Sequence, residues 1–129
     1  MTVGIPKEVK SQEHRVGMIP ACAGELVKHG HRVVVETGAG EQSSYLDSEY
    51  QAAGAEIVPT AGAVFEEAQL IVKVKEPQPS EIALLGPGHT LFTYLHLAAD
   101  RNLTESLTAT GCTAIAYETL EVSGRLPLL

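Results

Sequence analysis

Leu70-Ile71-Val72-Lys73-Val74-Lys75, followed directly by Glu76-Pro77, and about twenty residues later Thr90-Leu91-Phe92-Thr93-Tyr94-Leu95-His96, decide the fold of this chain. Each is a short run of aliphatic, β-branched and aromatic residues, apolar on both faces. That is the pattern of a strand buried from both sides in a parallel sheet. Between them, residues 79–85 have helical character, with Pro79 near the start and Gly86-Pro87-Gly88 as a stop. Strand, helix and strand in that order imply a crossover unit, in which the two strands run parallel and both end at the same edge. Each run ends in a group able to hold or move a proton, so the shared edge is where chemistry is expected.

The same alternation extends in both directions. We predict strands over residues 2–5, 31–36, 56–58, 70–75, 90–95 and 113–117, and helices over residues 20–29, 49–53, 61–67, 79–85 and 103–110. Gly30, Gly54 and Gly111 mark the ends of three of those helices. The predicted fold class is α/β, a doubly wound, mostly parallel sheet with helices on both faces, flavodoxin- or Rossmann-like.

At 129 residues the chain is long enough for one domain with a real core. Its hydrophobic fraction of 44% and charged fraction of 19% are those of a globular protein. The net charge of −7, with no cluster of Lys or Arg, argues against a nucleic-acid partner, which would require a basic face to displace phosphate counterions. No apolar stretch approaches a membrane span, and Met1-Thr2-Val3-Gly4-Ile5-Pro6 lacks the features of a secretory signal, so the expected location is the cytoplasm. Cys22 and Cys112 are isolated, without metal-like spacing, and are expected to be reduced, buried thiols; no metal site is expected.

Ligands of doubly wound sheets sit beyond the carboxyl ends of the strands, and the residues there are the site candidates. Pro6, Lys7 and Glu8 follow the first strand, leading into a polar loop with His14 and Arg15. Lys75 and Glu76, then His96, then Tyr117 and Glu118 follow later strands. A guanidinium, an ammonium, an imidazole and a carboxylate at one crevice suit a small anionic substrate whose chemistry includes proton transfer.

The words Gly4-Ile5-Pro6-Lys7-Glu8, Glu13-His14-Arg15-Val16, Glu36-Thr37-Gly38-Ala39-Gly40, Ala52-Ala53-Gly54-Ala55, Lys73-Val74-Lys75-Glu76-Pro77, Phe92-Thr93-Tyr94-Leu95-His96-Leu97-Ala98 and Ala116-Tyr117-Glu118-Thr119 resemble, in order and without a gap, the N-terminal region of bacterial L-alanine dehydrogenases. The resemblance implies reversible oxidative deamination, in which L-alanine, NAD and water give pyruvate, ammonium and NADH. It implies that Arg15 and Lys75 hold the substrate and that His96 and Lys75 are catalytic; Tyr117 and Glu118, read from their place after a later strand, are candidates for supporting them. A homo-oligomer, hexameric in the family, is also implied. The related α subunit of nicotinamide nucleotide transhydrogenase is similar over the Gly-Ile-Pro and Gly-Ala-Gly words but lacks the proton-transfer histidine. Saccharopine dehydrogenases share the architecture without these words.

The chemistry of the residues agrees with those roles. A guanidinium clamps a carboxylate through two parallel hydrogen bonds. An ammonium stabilises negative charge developing on oxygen, and an imidazole takes and returns protons near neutral pH. Each residue also has a plainer reading. Arg15 without its surrounding word is a solvated loop cation, and His96 a structural histidine at a strand end. Lys73 and Lys75 share a strand face and could be edge-strand lysines that discourage sheet association; of the two, Lys75 is assigned to function and Lys73 to structure. Tyr94 reads as packing, and His14, His29, His31 and His89 as surface or helix-end residues.

Gly38-Ala39-Gly40 follows a predicted strand, as a dinucleotide turn would, but Ser43 stands where a third glycine belongs and Glu41 sits where a pyrophosphate would approach. It is read as a tight turn, with no cofactor-binding residue in this chain. The resemblance implies that NAD is bound by a later Rossmann domain, which is absent here. Residues 1–129 are thus expected to form an N-terminal substrate-binding lobe, incomplete because the chain stops at the apolar Gly124-Arg125-Leu126-Pro127-Leu128-Leu129. Two function classes follow: part of an alanine dehydrogenase, or a truncated, non-catalytic small-molecule binding module.

Overall fold

The computed structural model describes residues 1–129 and contains one six-stranded sheet, all of whose neighbouring strands pair in parallel. Its strands are β1 (Thr2–Ile5), β2 (Arg32–Glu36), β3 (Glu56–Val58), β4 (Leu70–Val72), β5 (Thr90–Thr93) and β6 (Thr113–Ala116). The helices between them are α1 (Pro20–Lys28), α2 (Asp47–Ala52), α3 (Ala61–Glu67), α4 (Pro79–Ile82) and α5 (Arg101–Thr110). The spatial order β3-β2-β1-β4-β5-β6 is that of a Rossmann sheet, and its direction reverses between β1 and β4.

Alternation along the strands explains why both faces are covered. Val33 and Val35 pack on one side, with Val3, Ile5, Ala23 and Tyr50 of the core shared with α1 and α2. Val34 points the other way, joining Ile71, Leu91, Val64, Phe65 and Leu107 in the core shared with α3 and α5. Each such fully buried aliphatic or aromatic side chain contributes about 1.5–3 kcal/mol. Gly4 lets α3 approach β1 closely, because a Cβ there would lie 2.7 Å from both Ala68 Cβ and Val64 Cγ1.

Coverage of the two faces is unequal. The α1/α2 side shields β3, β2 and β1, whereas its continuation over β4, β5 and β6 carries no helix. There, Leu70, Val72, Phe92 and Tyr117 line an open, largely apolar groove of about 550 Å³ together with Met18, Ile19 and Cys22. The expectation of buried thiols is corrected accordingly. Cys22 lies on this uncovered flank and is exposed, and Cys112 is half-buried.

The predicted elements all occur, and their ends differ for identifiable reasons. β4 stops at Val72 instead of running to Lys75. Lys73 N–H still bonds Phe92 O, but the next two amides, of Val74 and Lys75, donate to the Glu8 carboxylate. β5 similarly stops at Thr93, since the amides of Leu95 and His96 donate to Glu118. α5 starts at Arg101 because the Asp100 carboxylate accepts the Leu103 N–H at 2.9 Å and caps the first turn. His89 is corrected from a surface residue to a half-buried tie: its Nδ1 accepts the Gly86 N–H, which leaves Nε2–H to donate to Phe65 O at 2.8 Å.

Candidate functional site

The loop that follows β1 and the carboxyl ends of β4, β5 and β6 surround a cavity of about 480 Å³ next to the point where the strand order reverses. Arg15, Lys75 and His96 all line it, as do Tyr94, Tyr117, Lys73 and Leu128. Three side chains separated by up to about eighty positions in sequence are therefore brought to one space. A cleft of about 440 Å³ near α4 and α5 contains Glu76, Asp100, Asn102 and Ser106 but no cation, so it has no positive charge to complement a small anion.

Each cationic or proton-carrying group is held by its own carboxylate. The Arg15 guanidinium is largely exposed, with 65% of its side-chain surface accessible, while its partner Glu13 retains 6%. Arg15 donates through Nε (2.9 Å) and Nη2 (2.7 Å) to the two Glu13 oxygens, and its backbone N–H donates to Glu13 Oε1. The hydrogen bond from Arg15 holds the Glu13 carboxyl down at about 2, against the opposing effect of burial. One edge of the guanidinium is thus committed, and its Nη1 end is the part left for a ligand.

Lys75 follows β4, and its Nζ lies 5.8 Å from the centre of the Tyr94 ring, within range of a cation–π attraction. The Tyr94 and His96 rings lie 5.0 Å apart at 37°, and Tyr117 meets Tyr94 edge-on at 6.4 Å. Tyr94, expected to be a packing residue, is therefore corrected to a wall of the cavity, set between the lysine and the histidine. The Tyr117 hydroxyl donates to Lys73 O at 2.9 Å, and burial pushes it up to about 12.

His96 adopts a left-handed conformation, with φ 52° and ψ 34°. For a residue with a Cβ this costs about 1–2 kcal/mol. Glu118 stabilises the turn by accepting N–H bonds from His96 at 2.8 Å and Leu95 at 3.0 Å. Burial works against the charge on Glu118, but bonds from its own amide and those of His96 and Leu95 outweigh it and hold the carboxyl below its ordinary range.

Lys73 departs most from the edge-lysine expectation. β4 lies inside the sheet, and Lys73 is 1% exposed, with its ammonium 2.6 Å from Glu81 and 3.1 Å from Glu8. Burial pushes Glu81 up from the ordinary carboxylate range. Sequence reasoning missed Glu13 and Glu81. The only local trace was a glutamate two positions before Arg15 and another three after Gln78 at the start of α4.

The Gly38-Ala39-Gly40 segment is a turn. Gly38 has φ +72°, and its amide donates to Asp47 Oδ1 at 2.9 Å. A Cβ at Gly40 would lie 2.8 Å from Tyr45, so that flank is already filled by the protein.

Residues 4–129 match the family described as alanine dehydrogenase/PNT, N-terminal domain. The chain is 52% identical over 130 residues to alanine dehydrogenase of Mycolicibacterium smegmatis and 49% identical to that of Mycobacterium tuberculosis, covering 100% of this chain in each case. It spans only 35% of the length of either relative. A solved L-alanine dehydrogenase superposes with a TM-score of 0.95 at 49% identity, over 98% of this chain and 35% of the other. A transhydrogenase from Sinorhizobium meliloti is more distant, with a TM-score of 0.85 at 30% identity over 92% of this chain and 35% of that one.

Proposed function

This chain belongs to the alanine dehydrogenase/PNT family, matching its N-terminal domain, and from that premise we propose that it forms the substrate-binding lobe of an NAD-dependent L-alanine dehydrogenase. The reaction is reversible oxidative deamination, in which a hydride passes from the substrate carbon to NAD as L-alanine and water give pyruvate, ammonium and NADH. The observation that carries this reading is the convergence of Arg15, Lys75 and His96 on one cavity, each with its backbone or side chain held by a separate glutamate. The greater similarity to alanine dehydrogenases than to the transhydrogenase favours it over the transhydrogenase reading.

In this scheme the substrate carboxylate is received by the free end of Arg15, whose orientation Glu13 maintains, and by the Lys75 ammonium. Lys75 also lies where it can stabilise negative charge on the substrate oxygen as water adds to the imine. His96 removes a proton from that water and returns it in the opposite direction. Tyr94 forms the wall between Lys75 and His96 and excludes water from that side of the substrate. The residues of this chain do not fit a dinucleotide, because the Gly38 amide is used by Asp47 and Tyr45 presses on Gly40. The nicotinamide cofactor is therefore assigned to the part of the family's length outside this chain. Family membership supports a homo-oligomeric, cytoplasmic enzyme.

The test is His96→Ala in the full-length enzyme. Turnover of pyruvate with ammonium and NADH should fall by roughly 10²–10⁴-fold while the circular dichroism spectrum is retained. Near-normal turnover would remove His96 from the mechanism. Pyruvate binding with no turnover in the unmodified full-length protein would support the alternative of a non-catalytic binding module.

A further inference from the structure

Lys73, on the cavity wall, belongs to a buried charged cluster with Glu8 and Glu81 to which the mechanism above gives no part. The Lys73 side chain has no exposed surface and that of Glu8 only 2%, and their charged ends are 3.1 Å apart. Ions this deeply buried are retained at a large desolvation cost, so each contact they make calls for a reason. Glu8 does more than pair with Lys73. Its Oε1 accepts the Val74 N–H at 2.7 Å, and its Oε2 accepts the Lys75 N–H at 3.3 Å. These two amides follow the last one of the β4 segment to donate to β5, which is Lys73 N–H, to Phe92 O, although Val74 O still accepts the Tyr94 N–H. On the opposite side of the peptide, Lys75 O accepts from the Thr93 hydroxyl at 2.8 Å. The backbone that presents the Lys75 ammonium is thus gripped from both sides, on one of them by a residue of the β1 loop.

We propose that Glu8 is a positioning residue for Lys75: its carboxylate fixes the two amides that set the direction of the Lys75 side chain, and Lys73 neutralises it in place. The proposal rests on the reading of Lys75 as a substrate-binding group. Glu81, the other partner of Lys73, accepts the Gln78 N–H at 2.8 Å and ties α4 to the sheet without touching the Lys75 backbone. It provides the contrast between positioning and mere structural support.

A glutamine at position 8 keeps the shape but turns one of the two acceptor atoms into a donor. It must then face either the Val74 N–H or the pair formed by the Lys75 N–H and the Lys73 ammonium with an NH₂ group. In the full-length enzyme, Glu8→Gln should raise the KM for pyruvate about tenfold or more, since a misplacement of about 1 Å can cost on the order of 10²-fold. The KM for NADH should stay within about twofold. Glu81→Gln should leave both constants within about twofold. If Glu8→Gln does not fold, Glu8→Asp, which keeps the charge for Lys73 but withdraws the acceptors by one methylene, should show the same rise. An unchanged pyruvate KM in a folded Glu8 variant overturns the proposal, as does an equal rise in Glu81→Gln or the failure of both Glu8 variants to fold. Lys75→Met in the same assay separates the two levels: if it leaves pyruvate kinetics unchanged, the reading of Lys75 itself fails.

Discussion

At the scale of single residues, carboxylates do the placing and cations face the cavity. Arg15 shows the consequence most directly. Because Glu13 occupies Nε and Nη2, the proposed ligand carboxylate would meet the remaining end of the guanidinium. A lysine at this position can contact both Glu13 and the ligand only through single, divergent N–H bonds, since its ammonium lacks the planar fork that pairs with a carboxylate through two parallel bonds. Arg15→Lys should therefore weaken pyruvate binding by about tenfold, a loss of about 1.4 kcal/mol, although the charge is conserved. Titration of pyruvate into the enzyme–NADH complex would measure it, and unchanged affinity would return Arg15 to the solvated-loop reading. Arg15 and His96 were legible as candidates because they stand in motif words near strand ends. Glu13 was not, because a carboxylate two residues from an arginine is common on any polar loop.

At the scale of elements, the local signals for helices and strands were strong and the signals for their ends were weak. Proline at the start of α1 and α4, and Gly111 at φ +72° after α5, are local stop and start marks, and those elements appear where they indicate. The α5 start is set instead by Asp100, which also precedes a helix whose buried stripe is only Leu103 and Leu107. With so little apolar surface to hold it, the helix depends on its cap. Asp100→Ala should reduce stability by about 1 kcal/mol, seen as a lower denaturant midpoint with an unchanged slope. No change in the midpoint would show that the packing of Leu103 and Leu107 is sufficient. The shortened β4 and β5 have the same lesson, since in both the sheet ends where a distant glutamate captures the next amides.

For the whole molecule, the decisive feature is the uneven coverage of the sheet. The groove beside half-buried Leu70, Phe92 and Tyr117 leaves half of one face without a helix, and Ile19 and, on β6, Ile115 expose apolar surface there. Exposed apolar surface of this kind marks an interaction face or an aggregation liability. The isolated 129-residue chain should therefore self-associate, and Phe92→Glu should shift it towards monomer. Light scattering would test this; a monodisperse monomer of the unmodified chain would refute it.

The sequence by itself determined the order of strands and helices, the parallel α/β class and the sheet edge at which the candidate residues gather, because periodicity and Pro/Gly punctuation act over a few residues. Only the tertiary structure decided what Lys73, Glu8, Glu13 and Tyr94 do. Lys73 reads locally as an exposed edge lysine, yet it is buried between glutamates because β4 lies inside the sheet, next to β1. Glu8 reaches amides 66 and 67 positions away. Such pairings depend on which strand ends become neighbours when the sheet is wound, and that is a property of the long-range strand order, to which no local pattern responds.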